Sequence, residues 1–429
     1  MNNLHSDNAP DSSVILPHFI FAAISLLILS IMIILADTSL LEAYFNNKIV
    51  AITHMAVLGW ATMVVFGALY QLIPVVFETA LYSEKLAKFT FWLSGFSVLF
   101  LTYTFWIGAY NDLLIYAAFL MFISLLLFVI NLMLTYKNSK LKNISSKFVI
   151  TAVIWLAVAE LIGTLIALNF KYNFFSEIHL HYLKIHATIG LVGWFLFLII
   201  GVSSILIPMF LVSHQLNIKK LSYAFYFINF GLISLSINWF FIHLTKVDPF
   251  LWLSITIGIA FYISFVYESY KKRIRKVLDI GMKHTMIAII TIALPILISL
   301  IILLGFDFEY SLLLRATTLY GFTIIFGLIT TLILGQTYKT LPFVVWLDKY
   351  TGLVGKTKTP MPRELYSEKI ADIHFYIYFI FLITMVFGIV FNQILLIRIG
   401  SYLLLLVAIL YNINVFKMIF HKVKTVKND

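Results

Sequence analysis

The chain has 429 residues, 62% hydrophobic and 11% charged, with a mean hydropathy of +1.00 and a formal net charge of +11. A soluble domain is nearer half apolar and a quarter charged, so a soluble enzyme is excluded. There is no cysteine, which removes disulfides, thiolate metal sites, iron–sulfur clusters and covalent haem attachment, and makes histidine the obvious side-chain ligand for a transition metal or haem iron.

A hydrocarbon core about 30 Å thick takes roughly 20 apolar residues per helix. The polar start, Met1 to Ser13, carries Asp7 and Asp11 and lacks the positive run that opens a signal peptide, so the first apolar run reads as a retained helix. Twelve spans follow, at about 15–36, 49–77, 87–107, 113–136, 148–170, 180–211, 221–243, 249–270, 284–305, 311–343, 371–393 and 395–418. With the N-terminus inside, 24 of the 30 Lys and Arg fall in loops and tails on that side, and Lys48, Lys171, Lys184, Lys246, Arg315 and Arg398 fall on the other. That asymmetry is the positive-inside pattern. It puts both termini in the cytoplasm and accounts for the basic charge without nucleic acid as a partner. The expected place is a bacterial inner membrane, with the lipid bilayer as the first partner.

Spans 2, 6 and 10 share one frame. Gly59, Gly193 and Gly327 are 134 residues apart, as are Gly67, Gly201 and Gly335, and Pro74, Pro208 and Pro342. Span starts at 15, 148 and 284 keep nearly the same period. The pattern predicts an all-α polytopic bundle of 12 transmembrane helices in three pseudo-threefold four-helix arcs. It forms a single membrane domain over 1–429, with internal repeats at about 15–136, 148–270 and 284–420. Glycine on such helices allows close backbone approach.

Ionisable side chains at membrane depth mark sites more often than chance. His54 lies near the outer start of span 2, and His186 sits at nearly the same level of span 6. His243 ends span 7, and His179 and His181 open span 6. His54, His186 and His243 are candidate metal ligands, and His54 and His186 candidate cofactor ligands. His18, His284 and His374 each open a span on the cytoplasmic side, and interfacial anchoring is expected of them. Glu160, near the middle of span 5, is a candidate proton relay or interhelical hydrogen-bond partner. Arg315 and Arg398, the two outer arginines, suit bidentate pairing with carboxylates such as haem propionates, or snorkelling to the interface.

The segments His54…Leu-Gly-Trp60…Gly67-Ala-Leu-Tyr-Gln-Leu-Ile-Pro74 and His186…Gly193-Trp194…Gly-Val-Ser-Ser…Ile-Pro-Met-Phe210 resemble the haem–copper oxidase subunit I superfamily. They look most like its C-type cytochrome oxidase subunit-I-like members, and the NnrS-type membrane haem proteins are similar. The resemblance implies that His54 holds the place of a low-spin haem ligand, His186 and His243 those of copper ligands, and Arg398 that of a propionate partner. It implies a b-type haem, with copper as a further cofactor, an oxidoreductase if active, and other membrane or electron-carrying subunits as partners. The chain departs from that pattern in span 10, which has no histidine, and at Gly190, where a tyrosine would stand. The usual dihaem–copper centre cannot be built from these residues. Two alternatives stand beside the haem reading: a copper or small-molecule handling membrane protein without haem, and a non-catalytic partner subunit of a respiratory complex.

Overall fold

The computed structural model describes residues 8–303 and 309–423. Asp7, the expected end of span 9 at 305 and the tail lysines Lys424 and Lys427 lie outside the described residues. The protein is all-α, with no strand among the described residues. Among the described residues twelve helices are long and apolar enough to cross a membrane, which makes it a multi-pass membrane protein. They are α1 (Ser12–Leu41), α2 (Asn47–Val76), α3 (Glu84–Trp106), α4 (Asp112–Lys137), α5 (Ile144–Tyr172) and α6 (His179–Leu211). The second half of the chain adds α7 (Lys219–Ile242), α8 (Thr245–Lys271), α9 (Ile280–Leu303), α10 (Tyr310–Leu353), α11 (Glu368–Val390) and α12 (Ile394–Ile419).

Six of the helix starts are set by short polar side chains just ahead of the apolar run. Asp11, Asn46, Asn111, Asn143, Asp279 and Ser367 each accept a hydrogen bond from a first-turn amide. These caps matter because the first amides of a helix have no partner within it. Side chains such as Trp92, Phe96 and Tyr103 on α3 stay exposed, as expected of a face that meets lipid rather than water.

The chain divides into two compact units. Unit 1 contains Leu72–Ser97 and Ala109–Val277, and so holds α4 to α8, the start of α3 and the end of α2. In it α4 packs on α5, α5 on α6, and α7 on α8. Unit 2 contains Pro10–Gln71, Val98–Gly108 and the described chain from Leu278 onward, and so holds α1, most of α2, the end of α3 and α9 to α12. There α9 packs on α10, α11 on α12, and α12 on α1. The last contact closes the chain's beginning on its end: Asn412 Nδ2 donates to the Ala23 carbonyl at 2.8 Å.

Helices α2, α6 and α10 are the most enclosed of the twelve, and each contains an eight-residue π-helical stretch. These stretches, Met55–Thr62, Ile189–Leu196 and Thr323–Thr330, begin at intervals of 134 residues. The glycines of the sequence frame lie within or just after them. A Cβ on Gly67 would fall 2.9 Å from His18 Cβ, on Gly201 2.9 Å from Phe148 Cβ, and on Gly335 2.5 Å from His284 Cβ. Seven residues further along the same neighbouring helices, Ser25, Trp155 and Thr291 lie against Gly59, Gly193 and Gly327. At Gly67, Gly193, Gly201 and Gly335 the glycine thus permits a helix contact that a side chain would push apart, whereas a Cβ on Gly327 would make only ordinary contact.

Candidate histidine sites

His54 is the last α-helical residue before the π stretch of α2. Its Nδ1 donates to the Val50 carbonyl at 2.8 Å, and its ring stacks on Phe105 with centroids 4.7 Å apart. A carbonyl oxygen only accepts, so Nδ1 carries the proton and Nε2 is the nitrogen with the lone pair. His54 belongs to unit 2.

His186 belongs to unit 1 and stands three residues before the π stretch of α6. Its Nδ1 donates to the Ala159 carbonyl of α5 at 2.9 Å, which gives it the same tautomer as His54. The ring reaches that carbonyl only because residue 163 is glycine: a Cβ there would sit 2.9 Å from His186 Cε1. Glu160 is the residue after Ala159, so the single intramembrane carboxyl of α5 is adjacent in sequence to the carbonyl that orients the histidine. Glu160 is partly buried, and its own carbonyl accepts from Thr164.

The remaining histidines of α6 have local partners. His179 stacks on Phe170, and its Nε2 is 3.1 Å from Asn169 Nδ2. His181 Nε2 donates to the Trp239 carbonyl at 2.7 Å. His243 lies beside His181, with ring centroids 5.5 Å apart, rather than on a buried ligand cluster. It is exposed and terminates the π turn of α7 in the left-handed region, at φ +57°. Asp248 braces that corner by accepting from Asn238 and from the Trp239 indole, and the Lys184 ammonium sits 3.9 Å over the Trp239 ring. Among the described residues, no group of three or more His, Asp or Glu side chains is arranged to hold a metal ion.

The two outer arginines are both engaged within unit 2. Arg398 makes a bidentate pair with Asp37, at 2.8 and 2.9 Å, which ties the start of α12 to the end of α1. Arg315 donates to the Val390 carbonyl at 3.0 Å and to the Ser311 carbonyl at 3.2 Å. It therefore serves as a C-terminal cap on α11, whose last carbonyls have no helical partner.

His18, His284 and His374 differ from the sequence expectation. All three are fully buried at 0% exposure, so interfacial anchoring does not describe them. His18 and His284 occupy matching places, each beneath the glycine of the next helix and each with Nδ1 donating to the carbonyl four residues back, Val14 and Ile280. His374, on α11, lies 6.0 Å from His284 between ring centroids. Tyr338, Tyr378 and Tyr411 surround it at 6.1 to 6.5 Å. The hydroxyls of these tyrosines point elsewhere: Tyr378 donates to the Phe326 carbonyl of the π stretch at 2.5 Å, and Tyr411 pairs with Thr337 at 3.0 Å. Tyr366, in the loop before α11, packs on Tyr338. Burial, followed by the carboxylates of Asp279, Glu368 and Asp372, pushes its phenol up to about 12, so it is a neutral donor at any physiological pH. One sequence signal could have marked this cluster: His18 and Phe148 stand 130 residues apart and Phe148 and His284 136, so two repeats place histidine where the third has an aromatic core residue.

No family model matches the chain, and no curated protein matches it.

Proposed function

We propose that the chain is a haem-binding, redox-related integral membrane protein of the oxidase subunit I type, with His54 and His186 as the ligand histidines and a b-type haem as the cofactor. One observation supports this most. Each histidine has its Nδ1 proton held by a backbone carbonyl, so that Nε2 is the ligand nitrogen, and each stands at the entry of a π stretch. A carbonyl behind a ligating imidazole fixes its tautomer and orientation and raises its basicity. π turns recur at functional sites because they re-aim side chains within an otherwise regular helix.

Each imidazole has the tautomer that a haem ligand would need, whereas both outer arginines already have partners. Asp37 already holds Arg398, and backbone carbonyls hold Arg315, so propionate pairing would require these contacts to exchange. A bound haem supplies one-electron exchange at its iron. The chain's own part is to hold each imidazole by its Nδ1 proton. With no histidine in α10, the proposal is electron carriage or gas sensing rather than oxygen reduction to water. The lysine and arginine distribution supports a bacterial inner membrane with both termini in the cytoplasm, and electron-carrying membrane subunits are the partners such a role requires.

The test is the optical spectrum of the protein purified from haem-replete cells. A Soret band is expected, diminished or shifted in His54→Ala and in His186→Ala. A colourless wild-type preparation would overturn the reading.

A further inference from the structure

At the end of unit 2 where α9 and α11 begin, four buried polar atoms have neither a hydrogen-bond partner nor solvent. They are His284 Nε2, His374 Nδ1, His374 Nε2 and Gln336 Oε1. They come from α9, α11 and α10. The Gln336 amide donates to Oγ1 of Thr285, the residue after His284, at 2.7 Å. A buried polar atom without a partner is rare in a folded protein, and three on two neighbouring imidazoles indicate that something else satisfies them. The Nδ1 of His284 donates to the Ile280 carbonyl at 3.0 Å, so its Nε2 carries the lone pair.

The spacing of the two rings narrows what that partner is. A direct N–H···N bond, at about 3.0 Å, would bring imidazole centroids to roughly 5.2 Å. The observed separation is 6.0 Å, too wide for a direct bond. A metal ion between two imidazole nitrogens, each about 2.0 Å away, spaces the centroids at roughly 6.3 Å when linear and less when bent. The ligand set then selects the ion. No third histidine and no carboxylate joins the pair in a metal-holding group among the described residues, and the nearby Asp279 is taken by Lys339. Zinc requires four ligands. A divalent ion in a buried site without carboxylates carries an uncompensated second charge. A d10 monovalent ion accepts two neutral nitrogens in near-linear array and brings a single charge into the surrounding tyrosine rings.

We infer that His284 and His374 form a two-histidine site for copper(I). The site is separate from His54 and His186 and does not depend on the haem reading.

The test uses the full chain in detergent with copper(I) as the probe, supplied anaerobically under reductant and competed against a chromophoric copper(I) chelator. About one ion per chain should be withheld from the chelator, with X-ray absorption showing two nitrogen scatterers at about 1.9–2.1 Å. His284→Gln and His374→Gln should each weaken retention by about 100-fold or more, since loss of a mere outer-shell partner already costs 10–100-fold. His54→Ala and His186→Ala should retain it. A melting curve of each variant separates loss of the ligand from loss of the fold, and the wild-type absorption spectrum requires no variant. The inference is overturned if wild-type protein yields all its copper to the chelator. It is also overturned if copper persists in folded His374→Gln, or if His284→Gln abolishes a Soret band, which would make this a haem site.

Discussion

His186 shows how a single missing carbon shapes a candidate ligand. Its ring occupies the space that a side chain at Gly163 would fill, and its Nδ1 reaches the Ala159 carbonyl through that gap. Gly163→Val should therefore displace the imidazole and overpack the α5–α6 contact, at a cost of about 1–3 kcal/mol. The expected readout is a lower melting temperature together with a shifted or weakened Soret band. Unchanged absorbance in a folded Gly163→Val protein would remove His186 from the ligand set. The histidine itself and its depth were legible in the chain. The carbonyl that fixes its tautomer was not, because Ala159 is 27 positions away and nothing in the sequence marks it. The same limit applies to Arg398: its guanidinium was visible as an outer charge, but its partner Asp37 lies 361 positions away.

Among the helices, the three π stretches and their glycines carry the most structural information. Not every glycine matters. A Cβ on Gly335 would meet the Gly281 carbonyl at 2.7 Å and His284 Cβ at 2.5 Å, whereas nothing lies within 4 Å of a Cβ on Gly321 or Gly190. Gly335→Ala should force α9 from α10 and destabilise by about 1–3 kcal/mol. Gly321→Ala should be neutral or stabilising by up to about 1 kcal/mol, because alanine is the better helix former. Thermal unfolding in one detergent compares the two directly, and equal effects would contradict the close-packing account of the 134-residue frame. The register of these glycines was readable from spacing alone. The π geometry was not: its stretches Met-Ala-Val-Leu-Gly-Trp-Ala-Thr and Ile-Gly-Leu-Val-Gly-Trp-Phe-Leu contain nothing that a regular helix would refuse. A π turn takes an extra residue into an otherwise regular helix, and local residue preference does not mark the place.

For the whole molecule, the charge distribution makes a prediction that needs no purified protein. Reporter fusions in the loops near 140 and 356 should report cytoplasm, and fusions near 110 and 175 the opposite side, if the positive loops face inward. The reverse pattern would invert the proposed topology and move His54 and His186 to the cytoplasmic half. A second expectation concerns the closing of the chain on itself. Asn412→Leu removes both the interhelical bond to the Ala23 carbonyl and the bond to its own helix, in a buried setting where the freed carbonyl finds no water. It should cost about 0.5–2 kcal/mol, the range for such bonds between membrane helices, and be read as earlier unfolding.

Hydropathy and periodicity were enough to give an all-α protein of twelve spans, their order and their approximate limits. That information is local: a bilayer accepts only segments that satisfy their own backbone, and any run of about 20 apolar residues declares itself. Which polar side chains come together is not local. His284 and His374 lie 90 residues apart, near the starts of two ordinary helices, where the sequence pattern is that of an interfacial anchor. They become a buried pair because Gly335 lets α10 close over His284 and because α11 brings its own histidine within 6.0 Å. Burial and proximity are properties of helix packing, set by contacts between residues far apart in the chain, and only the tertiary structure contains them.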